Sequence, residues 1–321
     1  MAVSTTLPDV PTNKRLKADA TLLLVASFWG LAFVAQRTAA ESSGVFLFNG
    51  LRFLLGMLFL LPFAWRDGSL RQASNWRGSG MQGTLIAGLL LFAAGTLQQM
   101  GLRYTTAGNA GFITGLYVVF IPVILALGAK QRLRPAIWAA SLMAVAGLFL
   151  LSTGGRLRLA LGDALVLASA VMFAFHVIWI GSMVQRMPVL PLAIGQYLLV
   201  GLLSLVIGSF TETGLGEVIS NSWPSILYTG IFSIGLGYTL QAVGQRTAPP
   251  ADAAILLSME APIAALFGWL LLNEQLIAIQ LFGCGLMLAG MLLAQIETIH
   301  ALRAGNVIGP ESGAEGRLHD P

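Results

Sequence analysis

Apolar runs follow one another with little pause from Ala20 to about Gln295 of this 321-residue chain, and only 10% of its residues are charged. A soluble domain carries roughly 25% charge, so the chain reads as a membrane protein with no sizeable soluble part. A helix rising about 1.5 Å per residue needs about 20 residues to cross a hydrocarbon core of about 30 Å. Ten segments are long enough: roughly 18–38, 45–65, 81–101, 107–128, 135–153, 162–184, 191–210, 224–244, 251–272 and 276–297. Lipid offers no partner to an open backbone, so each segment is expected to close its own hydrogen bonds as a helix. Pro135, Pro191 and Pro224 are read as span starts, where the missing N–H was an orphan of the first turn anyway. Residues 1–17, polar and ending in Lys14, Arg15 and Lys17, read as a disordered cytoplasmic N-tail, and the polar, Gly-rich 304–321 as a disordered C-tail.

Basic residues test the span count, because a wrong count scrambles their alternation. Of the 18 Lys and Arg, Arg37, Arg103, Arg156 and Arg158 fall on the far side, Arg52 lies within a span, and the remaining thirteen share the side of the N-terminus. The bias places both termini in the cytoplasm. Topology therefore accounts for the net charge of +4, and no basic patch suggests nucleic acid.

The two halves of the chain match at a spacing of 143 residues. Leu97-Gln98-x-x-Gly101-x-Arg103 returns as Leu240-Gln241-x-x-Gly244-x-Arg246, and Ala146-Gly147-x-x-Leu150 returns as Ala289-Gly290-x-x-Leu293. Polar matches of this kind are hard to obtain by chance in apolar sequence. Nearby registers extend the match upstream, as in Ala32-Phe33 with Ala174-Phe175. Each half, 18–153 and 162–297, thus holds five spans, and an odd number makes the second copy enter the membrane from the opposite side. The expected fold is an all-α membrane protein of ten transmembrane helices in two inverted five-helix repeats. In such folds the substrate site lies near the midplane between repeats.

Glu260 is the foremost candidate for that site. It lies deep in the run 251–272, where a carboxyl group is tolerable only if it faces a wet cavity, finds a partner or stays protonated. Two residues on, Pro262 loosens the helix. Its counterpart 143 residues earlier is Tyr117, one turn from Thr114, and Ser258 lies two residues before Glu260. A carboxylate opposite a phenol could bind a substrate amine or carry a coupling proton. Equally, Glu260 could be held by a structural hydrogen bond. Arg52 could pair with a substrate carboxylate or with Glu260, or reach back to the interface. His176 could relay a proton or be a neutral core residue, and Trp29, far from the interfacial belts, could line the cavity or pack the core. Gln98 and Gln241, which recur in the repeat, are read as bridges between helices. Asp163 is read as a helix cap.

Enzyme and metal motifs fail. Gly78-x-Gly80-x-x-Gly83 has the dinucleotide spacing but precedes a span and follows no strand. The single Cys284 permits no disulfide, and three His give no metal spacing, so no cofactor is expected. A small-molecule substrate and the lipid bilayer are the expected partners, with protons as a candidate coupling ion and the oligomeric state unread.

Phe28-Trp29-Gly30-x-x-Phe33, Leu51-Arg52-Phe53, Met259-Glu260-Ala261-Pro262 and Leu272-Asn273-Glu274-x-Leu276 leading into Gly283-x-x-Leu286 resemble, in this order, the EamA-type transporters of the drug/metabolite transporter superfamily. The resemblance covers residues 20–297. It implies a bacterial inner-membrane carrier, commonly an exporter of amino acids or other small metabolites. The alternatives from other classes are an intramembrane enzyme acting on lipid and a structural or sensory membrane protein.

Overall fold

The structure, a computed structural model, describes residues 12–72, 77–128, 133, 135–153, 160–212, 214–272, 275 and 277–303. Among these residues all regular structure is helical. The elements are α1 (Thr12–Ser42), α2 (Val45–Arg66), α3 (Gly78–Gly101), α4 (Ala107–Gly115), α5 (Tyr117–Leu127), α6 (Pro135–Thr153), α7 (Leu161–Met183), α8 (Val189–Thr211), α9 (Leu215–Tyr228), a π-helical stretch Thr229–Tyr238, α10 (Thr239–Gly244), α11 (Pro250–Leu257), α12 (Glu260–Leu272) and α13 (Ala278–Arg303). Eight helical stretches among the described residues are long and apolar enough to cross a membrane. The apolar parts of α6 and α13, Pro135–Gly147 and Ala278–Leu293, are shorter. The chain is thus an all-α, multi-span membrane protein, with eight full-length stretches and two shorter ones where the sequence reading expected ten spans.

Two boundaries differ from expectation. The tail expected over 1–17 is helical from Thr12, because Arg15 is drawn into the bundle by acidic partners; residues 1–11, like the expected C-tail 304–321, lie outside the described residues. Pro224 does not start a span. The helix begins at Leu215, after Gly214 turns the chain with a left-handed φ of 81°, and Pro224 lies inside α9. Pro135, by contrast, is the first residue of α6.

Every major packing joins the first half of the chain to the second: α6 lies on α13, α2 on α8, α3 on α7, and α1 on α12. Small residues make these approaches close, as expected where lipid gives helices no hydrophobic reason to associate. At Gly147 of α6 an added Cβ would come within 2.5 Å of the Gly283 carbonyl and 2.7 Å of Met287, both on α13.

Polar contacts tie each end of the bundle. At one end Arg15 meets Asp252, Trp179 Nε1 donates to the Gly83 carbonyl (2.9 Å), and Gln185 donates to the Arg246 carbonyl (3.1 Å). At the other, Thr105 donates to Asp163 (2.7 Å), the hydroxyls of Ser43 and Ser222 bond, and Glu212 at the end of α8 accepts from the Phe46 and Leu47 N–H groups (3.0 and 2.9 Å). Glu212 thereby caps α2 with a carboxylate, the charge favoured at a helix N-terminus. Asp163 also accepts from the Ala160 N–H (3.1 Å), the capping role read for it in the sequence.

Candidate functional site: a cavity at two broken spans

Two spans are interrupted at matched positions. The first breaks at Leu116, between α4 and α5; the second breaks at Ser258 and Met259, between α11 and α12. Tyr117 and Glu260 are the first residues of the resumed helices. In the second half Pro262 is one cause: it supplies no N–H to the Ser258 carbonyl, which accepts from Ala261 instead (3.1 Å). The first half breaks without a proline at that point, since Leu116 N–H tightens onto the Ile113 carbonyl (3.2 Å) well before Pro122. Pro122 leaves the Val118 carbonyl without its helical donor. The Ser141 hydroxyl on α6 fills that place (3.1 Å), as polar side chains do for broken helices in membranes.

Both breaks open on one cavity enclosing about 450 Å³ of non-atom space, its opening included. Trp29, Arg52, Thr114, Tyr117, His176 and Glu260 all line it, so six of the seven candidates from the sequence converge. Ser258 does not. Its hydroxyl turns back to the Ile255 carbonyl (2.8 Å), one of the bonds that closes the end of α11. Tyr117 and Glu260 face each other closely enough to interact electrostatically, with the phenol as the donor available to the carboxyl group.

Arg52 is 3% exposed and does not reach back to the interface. Neutral groups hold it: Nε donates to Asn49 Oδ1 (3.0 Å), Nη1 donates to Gln36 Oε1 (2.6 Å), and the guanidinium lies 5.3 Å and 5.4 Å from the ring centroids of Phe48 and Phe53. Among the described residues the ion pairs are Arg15 with Asp19, Arg15 with Asp252, and Arg37 with Glu41. Arg52 and Glu260 therefore share a cavity without pairing, one cationic and one carboxyl group presented to the same space.

Several lining residues escaped the sequence reading. Gln98 does bridge helices, its Nε2 donating to Thr114 Oγ1 on α4 (3.1 Å), whereas Gln241 Nε2 donates to Gln245 Oε1 four residues on, at the end of its own helix (2.9 Å); both also line the cavity. Tyr238 is the centre of an aromatic cluster, with ring centroids 4.8 Å from Trp29, 5.9 Å from His176 and 6.4 Å from Phe173. It ends the π-helical stretch, a distortion that recurs at functional sites. Trp29 Nε1 donates to the Ser233 carbonyl within that stretch (3.0 Å). His176 Nε2 lies 2.9 Å from Gln196 Oε1, while Trp179, three residues on, donates to the Gly83 carbonyl instead. The available signal was the 143-residue register for Gln98 and Gln241; the π stretch has none beyond Gly235 and Gly237. Among the described residues no three His, Cys, Asp or Glu converge as a metal site.

The profile of the EamA-like transporter family matches this chain twice, over residues 16–153 and 160–295. The chain belongs to the EamA-like transporter family. It is accordingly a membrane transporter of the drug/metabolite superfamily and not an enzyme. EamA-like relatives described as uncharacterized transporters include one of Archaeoglobus fulgidus, 33% identical over 88% of this chain and 87% of its own length. YwfM of Bacillus subtilis is 28% identical, over 85% of this chain and 91% of its own. A crystal structure of a protein 20% identical superposes with a TM-score of 0.70 over 91% of this chain and 99% of the other, which shows a shared fold.

Proposed function

We propose that this EamA-like protein is a secondary carrier that moves small metabolites, such as amino acids and related compounds, out of the cell. The two halves are two inverted five-helix repeats, and access to the cavity alternates as one rocks against the other. The observation that carries the proposal is the placement of Tyr117 and Glu260. They share one repeat register, each resumes a broken span, and both line a cavity that also holds Arg52. Broken helices at a repeat interface are where carriers of this architecture hold substrate.

Inversion is supported by the two glutamines. Gln98 lies near the end where Thr105 meets Asp163, whereas Gln241 leans on Gln245 near the end where Gln185 meets Arg246. A molecule with an amine and a carboxylate would place one near Glu260 and the other near Arg52, converting two isolated buried groups into charge-assisted hydrogen bonds. Proton coupling through Glu260 belongs to the same reading, as does an inner-membrane placement with both termini cytoplasmic.

Uptake of a labelled amino-acid panel into proteoliposomes, with and without a pH gradient, is the test. Saturable uptake that responds to the gradient is expected. Absence of uptake for every member, by protein shown to be folded and inserted, would sink the proposed substrate class.

A further inference from the structure

Glutamine side chains can be turned either way unless something fixes one end, and here a backbone carbonyl does. The Val177 carbonyl can only accept, so Gln245 must offer it the amide nitrogen, at 2.9 Å. Gln245 Oε1 then faces Gln241, which must donate Nε2 to it, again at 2.9 Å. Gln241 Oε1 is what remains. It is fully buried, without a partner, on a residue that lines the cavity. Reversing either amide would set two acceptors against each other, so this relay fixes Gln241 as an acceptor toward the transported molecule.

Two more buried polar groups line the same cavity. His176 pairs through Nε2 with Gln196 and leaves Nδ1 without a partner, and Glu260, faced by the Tyr117 phenol, offers a carboxyl group to the same cavity. A buried acceptor left unpaired is costly, and Gln241 Oε1 and the Glu260 carboxyl group around one cavity call for a group that brings several donors. A carboxylate brings none and a hydroxyl brings one. A primary ammonium brings three N–H donors and a charge that suits a carboxylate, while Trp29 and Tyr238 supply aromatic walls of the kind that favour cations.

We infer that Gln241 contacts the transported molecule directly, forming with Glu260 an acceptor pole that reads a primary ammonium group. Gln245 is its positioning residue, anchored on Val177. The inference rests on the carrier reading above and deepens it.

The test uses the full-length protein purified in detergent, thermally unfolded with two matched sets of probes: phenylalanine, phenethylamine and 3-phenylpropionate, and leucine, 3-methylbutylamine and 4-methylpentanoate. Amine-bearing members should raise Tm in a saturable way and their deaminated partners should not. Gln241→Leu should weaken binding of the amine-bearing probes about tenfold or more, the scale of one hydrogen bond to a charged group. Gln245→Met, which frees the Gln241 amide to turn, should weaken it about threefold to tenfold on the same scale. Gln245→Glu, whose neutral carboxyl group donates to the Val177 carbonyl and still accepts from Gln241 Nε2, should keep most of the parental affinity. If Gln241→Leu yields no folded protein, Gln241→Glu decides, since its neutral carboxyl group donates to Gln245 Oε1, keeps the other oxygen as an acceptor and should bind amines about as tightly as the parent. The inference is overturned if no amine-bearing probe outperforms its deaminated partner. It is equally overturned if Gln241→Leu and Gln245→Met lower the Tm of the empty protein while leaving amine affinity unchanged, or if Gln241→Glu binds amines more weakly. Transport of the deaminated acids into proteoliposomes would leave the carrier reading standing while this inference falls.

Discussion

Arg15 Nη2 lies 3.0 Å from Asp252 Oδ2, which ties the first turn of α1 to the first turn of α11, and Arg15 Nε lies 2.9 Å from Asp19 on its own helix. All three side chains are buried. The contact joins the two halves of the chain at one end of the bundle, on the side of the cavity away from the Thr105–Asp163 bond. Among the described residues Arg15 is the cation shared by Asp19 and Asp252, so removing it takes this link between α1 and α11 away from two buried carboxylates.

Arg15→Gln is therefore expected to release that end. In a Cys284→Ala background carrying Thr114→Cys as a cavity reporter, labelling by an impermeant thiol reagent should accelerate from the face that carries residue 15. Arg15→Lys should label much like the parent. Removing one partner of a buried ion pair costs about 3–5 kcal/mol, so the amount of folded protein should fall as well. Less folded protein with an unchanged labelling ratio between the two faces would show a purely structural role.

Gly237 is expected to be intolerant of any side chain. A Cβ there would come within 2.6 Å of Trp29 Nε1, the atom that donates to the Ser233 carbonyl. Gly237→Ala should push the indole off the π-helical stretch, lowering transport severalfold while the protein still inserts. Tryptophan emission of a variant retaining Trp29 as a reporter should shift with it. An unshifted spectrum together with parental transport would separate Trp29 from the cavity's function.

Gly147→Leu should loosen the pairing of α6 with α13, where the Gly283 carbonyl and Met287 leave no room. Overpacking of this kind typically costs about 1–3 kcal/mol. The expected result is a lower Tm in detergent with ligand affinity kept, since among the described residues neither helix supplies one to the cavity. Unchanged thermal stability would mean that the two helices yield more easily than their packing suggests.

Much of this was legible in the sequence because lipid imposes simple rules. Apolar length located the helical stretches, and the polar matches of the repeat paired Tyr117 with Glu260 before any geometry was known. Residues whose environment is made by distant partners were harder. Arg15 looks like one of three tail cations until Asp252, far along the chain, pulls it into the bundle. Tyr238 has nothing in its neighbourhood to announce an aromatic hub, because its partners come from α1, α2, α7 and α8. Pro262 correctly flagged one break, but the other break falls at Leu116 and was legible only through the register.

The central claim is that Glu260 acts on the transported molecule rather than on the fold. Glu260→Gln keeps the shape of the side chain and removes its charge. Transport into proteoliposomes with and without an imposed pH gradient, measured beside Glu260→Leu, tests the claim most directly. If the account holds, the Gln variant inserts and folds like the parent but loses its response to the gradient and most of its transport. Parental transport and pH response in the Gln variant, with Glu260→Leu merely reducing folded protein, would contradict it.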